Sequence, residues 1–357
     1  MRLSAIVTLS LLSSTLMFAN TALMEKAQQS GLLPIPSDTK QLFKIIDPKQ
    51  EMTTKRIDLG RTLYFDPRLS KSGLISCHTC HNLGLGGVDG ISTAIGHQWH
   101  KNPRALNSPT VYNAVFFKSQ FWDGRSPNLE EQAKGPMVSG VEMAAPVDMI
   151  EKRVNSMPGY VDAFQKAYGN DVKIDFDTIT STIALFERTL VTPSRYDRFL
   201  EGNNDALSDA EKKGLEIFID KGCVTCHNGI ALGGEKKPFE LASKYKHRDI
   251  GGFTGDGQGL IKVPTLRNIT ETAPYFHNGA IWDLKEAIKM MSQIQVGYKV
   301  NKTEKQGFNL QIMPIELSDE EIDKIRLFFN ALEGKKPTIK YPQLPKSTLE
   351  TPKPDAQ

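Results

Sequence analysis

Two Cys-x-x-Cys-His motifs, Cys77-His-Thr-Cys-His81 and Cys223-Val-Thr-Cys-His227, contain all four cysteines of the chain and stand 146 positions apart, counted from Cys77 to Cys223. Each motif sets two thiols one helical turn apart to bond the vinyl groups of a haem and offers the next imidazole to the iron. Two haem c groups follow, attached at Cys77, Cys80, Cys223 and Cys226, with His81 and His227 as proximal ligands. Two disulfides would suit an exported chain, but the histidine after each pair points to haem. A four-cysteine zinc site needs its pairs only ~15 to 20 residues apart. A redox dithiol would leave both histidines unexplained.

The chain has 357 residues, enough for two core units, and a formal net charge of +3 that gives no sign of a nucleic-acid partner. A basic start and a short apolar, Ser/Thr-rich run to about Ala22 read as a secretory signal over residues 1–22. An uncleaved anchor is the alternative, although the run is shorter than the ~20 residues of a spanning helix. The expected protein is therefore exported, with no membrane span once the signal is removed.

Gly60-Arg-Thr-Leu-Tyr-Phe-Asp66 repeats as Gly214-Leu-Glu-Ile-Phe-Ile-Asp220, one helix used twice to lead into a haem loop, with Pro67 to Ser76 inserted in the first copy. Ser208 with Glu211 and Ser318 with Glu321 read as capping boxes that open the first and last helices of the second unit, and Gly334 is placed to end the last. A polar stretch at Glu201 to Asp205 marks the boundary. The division is 23–204, 205–335 and a tail over 336–357. Strand patterns are few and long Gly/Pro/Asn-rich loops run from Gly84 to Thr110 and from Lys236 to Asn278, so the expected fold is mainly α: two cytochrome c-like domains with long loops.

The sixth ligand of each iron decides between electron transfer and chemistry. The candidates are His97 and His100 after the first motif, and His247, His277, Met290, Met291 and Met313 after the second. Asn107-Ser-Pro-Thr110, Gln120-Phe-Trp-Asp-Gly-Arg125, Glu131-Gln-Ala-Lys-Gly-Pro136, Val141-Glu-Met143, Val263-Pro-Thr-Leu-Arg-Asn268 and Thr272-Ala-Pro-Tyr-Phe-His277 follow in order. With the haem motifs and Gly96-His97, they resemble the bacterial di-haem cytochrome c peroxidases over about residues 40 to 333.

That resemblance implies reduction of hydrogen peroxide in the periplasm by a homodimer. Electrons would come from a small donor, a monohaem cytochrome c or a copper protein of the cupredoxin kind. By matching position, His97 is the displaceable distal ligand of a peroxidatic N-terminal haem. Glu142 and Gln132 belong to its peroxide pocket, and Trp122 lies between the haems as the electron bridge. Met291 is the axial ligand of an electron-accepting C-terminal haem. A calcium ion is matched by Asn107 with main-chain oxygens of Thr272 and Pro274. His100 matches no ligand, and the segment Asn301 to Pro314 looks inserted. Two rivals stay open: a di-haem electron carrier with two six-coordinate irons, and a MauG-like oxidase of a partner protein. The MauG-like enzymes have tyrosine where Met291 stands.

Overall fold

The computed structural model describes residues 22–238, 245–294, 296–302 and 308–351; the expected signal therefore lies almost wholly outside the described residues. Helices dominate. They are α1 (22–29), α2 (Thr39–Ile46), α3 (Thr54–Phe65), α4 (Cys77–Cys80), α5 (Leu129–Val138), α6 (Val147–Ser156), α7 (Pro158–Tyr168), α8 (Phe176–Glu187), α9 (Arg195–Leu200), α10 (Asp209–Asp220), α11 (Leu284–Ile294) and α12 (Asp319–Asn330). Short 3-10 turns, among them His97–Trp99, link the helices, and there are two small antiparallel strand pairs: Lys236–Pro238 with Leu260–Lys262, and a hairpin of Val296–Lys302 with Phe308–Pro314. The hairpin includes most of the segment that looked inserted; the side chain of Met313 lies outside the described residues.

The repeat seen in the sequence is a repeat of packing. In α3, a Cβ on Gly60 would stand 2.1 Å from the carbonyl oxygen of Thr182 on α8; in α10, a Cβ on Gly214 would stand 2.0 Å from that of Lys324 on α12. Only a residue without a side chain lets the two backbones approach so closely. One turn further on, Tyr64 meets Phe186 edge-on at 5.3 Å and Phe218 meets Phe328 at 5.5 Å. Each domain is thus a crossed helix pair clamped at a glycine and an aromatic pair, and the Tyr64 hydroxyl donates to the His81 carbonyl at 2.8 Å, tying the first pair to its haem motif. Both capping boxes are present, at Ser208/Glu211 and Ser318/Glu321.

Three features differ from the sequence reading. Tyr196, Phe199 and Leu200 of α9, with Ala27 and Leu32 of the first described segment, pack in the second core rather than the first. The last helix ends at Asn330, before Gly334, which instead lets the chain cross Thr192, whose carbonyl oxygen lies 2.0 Å from an added Cβ. The tail returns to the first domain: Ile339 packs on its core, and Arg68 donates to Pro345 and Ser347 at 2.8 and 3.0 Å. Among the described residues, no helix is long and apolar enough to cross a membrane.

One buried ion pair fastens the second domain together. Arg267, 0% exposed, donates to both carboxylate oxygens of Asp197 at 2.7 and 3.0 Å, and through Nε to the Ile230 carbonyl at 2.5 Å. Asp197 also accepts from the backbone of Ile35 and of Ser194, so one carboxylate joins three chain segments. Arg267→Ala leaves that charge buried and uncompensated, and is expected to cost about 3–5 kcal/mol in denaturant unfolding. The Asp197→Ala/Arg267→Ala double variant should lose less than the sum of the single changes; additive losses would mean that the pair is not coupled.

Candidate functional site

Each haem motif opens on its own cavity. The N-terminal cavity, about 1980 Å³ of empty space that includes its open mouth, is lined by Cys77, Cys80, His81, Trp122, Arg125, Gln132, Glu142 and Glu187 among others. The C-terminal cavity, about 1600 Å³ on the same measure, is lined by Cys223, Cys226, His227, His277, Met291 and mainly apolar side chains. The helices deliver these groups by periodicity. Leu129, Gln132, Ala133 and Pro136 form one face of α5, Ile183 and Glu187 one face of α8, and Leu284, Ala287, Ile288 and Met291 one face of α11. Asp283 fixes the start of α11 by accepting from the Glu286 N–H at 2.8 Å. Met290 does not line the cavity; it is buried with Tyr245 and Ile294 in a cluster against which Met291 also packs.

The residues fit covalent haem. All four thiols are unpaired and line the cavities, and burial raises their pKa values, to about 12 for Cys80 and Cys223. His81 Nδ1 meets the Pro109 carbonyl at 2.9 Å and His227 Nδ1 the Leu232 carbonyl at 3.2 Å. A carbonyl at Nδ1 holds the proton there and leaves Nε2 as a lone-pair donor, the tautomer that metal ligation needs. Burial also keeps both rings neutral, with the His227 pKa pushed down to about 4.

The two cavities share a wall. Asn107, Ser108, Pro109, Thr110, Phe117, Trp122 and Lys262 line both. Trp122 is buried, and its indole N–H donates to the Asn107 carbonyl at 2.9 Å, which fixes the ring in the partition. His277 stands edge-on to it at 6.4 Å, buried, with both ring nitrogens lacking a hydrogen-bond partner and its pKa pushed down to about 4.

Glu142 and His97 meet through the backbone. Glu142 sits in the turn that follows α5, where burial raises its carboxyl pKa against the opposing pull of Ser139 and Arg125. The His97 N–H donates to the Glu142 carbonyl at 2.7 Å, and a Cβ on Gly96 would stand 2.1 Å from the Val141 carbonyl. Ile95 and Gly96 line the cavity, whereas His97 is not among its lining residues; its Nδ1 is buried without a partner. Gln98 and Trp99 both hold left-handed φ values, 56° and 61°, which non-glycine residues rarely adopt. His100 is exposed. Asn107 and Pro274 meet, the Asn107 amide donating to the Pro274 carbonyl at 2.7 Å, and both line the C-terminal cavity, as Thr272 does.

Sequence reasoning missed Glu187 and Lys262, whose charges look like ordinary surface groups until the fold buries them. Glu187 is buried with Oε2 unpartnered, and burial together with Glu130 pushes its pKa from 4.5 up to about 8. The native state keeps this proton while the unfolded chain releases it, so Glu187 destabilises the fold as pH rises from about 4.5 to about 8. Glu187→Gln is expected to raise the melting temperature, little at pH 4 and most at pH 8, with a limiting slope of about 1.4 kcal/mol per pH unit. A pH-independent difference would refute the burial of an ionisable carboxyl.

The comparisons agree with this geometry. A family model described as di-haem cytochrome c peroxidase matches residues 54–205, and a cytochrome c model matches residues 211–332. Cytochrome c551 peroxidase of Pseudomonas aeruginosa is 42% identical over 340 residues, 92% of this chain and 91% of that protein. Methylamine utilization protein MauG of Methylorubrum extorquens is 30% identical over 336 residues, 89% of this chain and 90% of that protein. A solved MauG-like protein associated with microbial copper homeostasis superposes with a TM-score of 0.66 at 26% identity, covering 80% of this chain and 91% of that one. Two cavities that each present two thiols and a carbonyl-anchored histidine, and a likeness that runs through both domains, make this chain a member of the di-haem cytochrome c peroxidase family, with two haem c groups.

Proposed function

We propose that the chain reduces hydrogen peroxide to two waters, consuming two protons and two electrons, with peroxide handled in the N-terminal cavity and electrons entering at the C-terminal one. The contrast between the two linings carries this reading: Glu142, Gln132 and Arg125 in one, Met291 among apolar side chains in the other. Haem held by Cys77, Cys80 and His81 would supply the redox chemistry that cleaves the O–O bond, and haem held by Cys223, Cys226, His227 and Met291 would supply electrons, a methionine ligand raising its potential.

The protein's own part is to move a proton and hold geometry. The Glu142 carboxylate accepts the proton of one peroxide oxygen and returns it to the other, which then leaves as water. Gln132 orients the peroxide. Trp122, fixed by Asn107 in the shared wall, gives electrons a short path between the cavities. In this reading His97 closes the N-terminal cavity in the resting enzyme and leaves it when the C-terminal haem is reduced; the arrangement described above, with Gly96 in the lining and His97 outside it, corresponds to the open position. The Gly96–Trp99 loop, with its two strained residues, is the element that moves. The shift disturbs Glu142 directly, because the His97 N–H is bonded to that residue's carbonyl.

The donor in this reading is a small reduced protein, a monohaem cytochrome c or a cupredoxin, in the periplasm, and the enzyme works as a homodimer with one calcium ion per chain. Calcium would take oxygen from Asn107, Thr272 and Pro274, which requires the Asn107 amide to present Oδ1 where Nδ2 now donates; an amide flip achieves this without moving a carbon. Steady-state turnover of the holoenzyme with reduced monohaem cytochrome c is the direct assay. Sustained oxidation of two cytochromes per peroxide is expected. Slow cytochrome oxidation, with a long-lived doubly oxidised enzyme after peroxide, would point instead to oxidation of a partner protein.

A further inference from the structure

Lys262 is the only lysine or arginine, among the described residues, that lines both cavities. It ends the strand Leu260–Lys262, where its N–H donates to the Trp122 carbonyl at 2.8 Å, so its backbone is tied to the inter-cavity tryptophan. Its exposure is 2%, yet among the described residues no carboxylate lies within ion-pair distance and no hydrogen-bond acceptor faces its ammonium. The Nζ stands instead over two rings, 4.6 Å from the centre of Phe117 and 5.9 Å from that of Trp122. Those faces attract a cation but do not replace the hydrogen bonds it loses on leaving water. Burial lowers its pKa only to about 8, so the group remains largely charged at neutral pH.

A buried, charged lysine without an acceptor calls for an anion. A haem carries two propionate carboxylates at its edge, and both cavities that take a haem open onto this side chain. We propose that Lys262 binds a haem propionate at the wall between the two cavities, and that this ion pair sets the reduction potential of the haem it holds. The inference rests on the reading of both cavities as haem sites. Lys262 is a positioning residue: it touches the cofactor's edge and not the reacting oxygen. Its positive charge favours the reduced, less positive iron, and removing it leaves a propionate charge uncompensated; both effects lower the midpoint potential.

The test is spectroelectrochemical titration of the holoenzyme with Lys262→Met, which keeps the length and removes the charge, and with Lys262→Gln, which keeps a hydrogen-bond donor. Covalent attachment retains both haems, so haem stoichiometry is read independently; loss of the two-haem spectrum in the unaltered protein would refute the haem reading and not this proposal alone. In both variants at least one midpoint is expected to fall by about 59 mV, a tenfold change in the oxidised-to-reduced ratio for one electron. Unchanged midpoints in both would overturn the proposal. A fall with Met but none with Gln would also overturn it, since hydrogen bonding and not charge would then be the operative contact.

Discussion

Replacing Glu142 by glutamine is expected to lower kcat with peroxide by about 10²–10⁴-fold, the range for loss of a positioned general acid–base group, while both haems stay attached and optically normal. Glutamine keeps the shape and one hydrogen-bonding oxygen but cannot take up or release the proton. The pH profile separates this from a steric effect. Burial raises the Glu142 pKa, so the unaltered enzyme should lose kcat/KM as pH falls through that raised value and the carboxylate is protonated. The limb should vanish in Glu142→Gln. Activity within a few-fold of normal, or an unchanged acid limb, would remove Glu142 from the chemistry.

The second large effect concerns the Gly96–Trp99 loop. His97→Gly is expected to react with peroxide in the fully oxidised state, at a rate close to that of the half-reduced unaltered enzyme, whereas the oxidised unaltered enzyme is expected to be inert. The reason is a competition for one coordination position. The loop is bonded to Glu142 through the His97 N–H, crosses Val141 closely at Gly96 and is strained at Gln98 and Trp99, which makes it the segment expected to shift. Stopped-flow mixing of the oxidised variant with peroxide reads this directly. If the variant still needs an electron first, the gate is another group.

What could be read from the sequence follows from how local each signal is. The haem motifs, the capping boxes and the Gly60/Gly214 repeat are short local patterns whose residues act on near neighbours, so their positions in the fold followed from spacing. The domain division was harder. Tyr196, Phe199 and Leu200 precede the polar Glu201–Asp205 stretch, yet their apolar stripe finds the second core, because a six-residue helix packs wherever the nearest apolar surface lies. The same holds for Ala27 and Leu32. Gly334 looked like a helix stop, but a glycine needed for close approach carries the same letter. Lys262 follows Leu260 and Ile261 and precedes Val263, and Glu187 follows Ala184, Leu185 and Phe186, but a charged residue beside an apolar run is as often its exposed edge; the cavities show that both are buried.

The central claim is that the two cavities do different work. Optical titration of the oxidised holoenzyme with one electron equivalent, followed by peroxide, tests it most directly. The account predicts that the first electron settles on the C-terminal haem, that the N-terminal haem stays ferric and turns high-spin, and that peroxide then reacts at once. Joint reduction of both haems at one potential, or two irons that remain low-spin and indifferent to peroxide, would contradict it and leave a di-haem electron carrier.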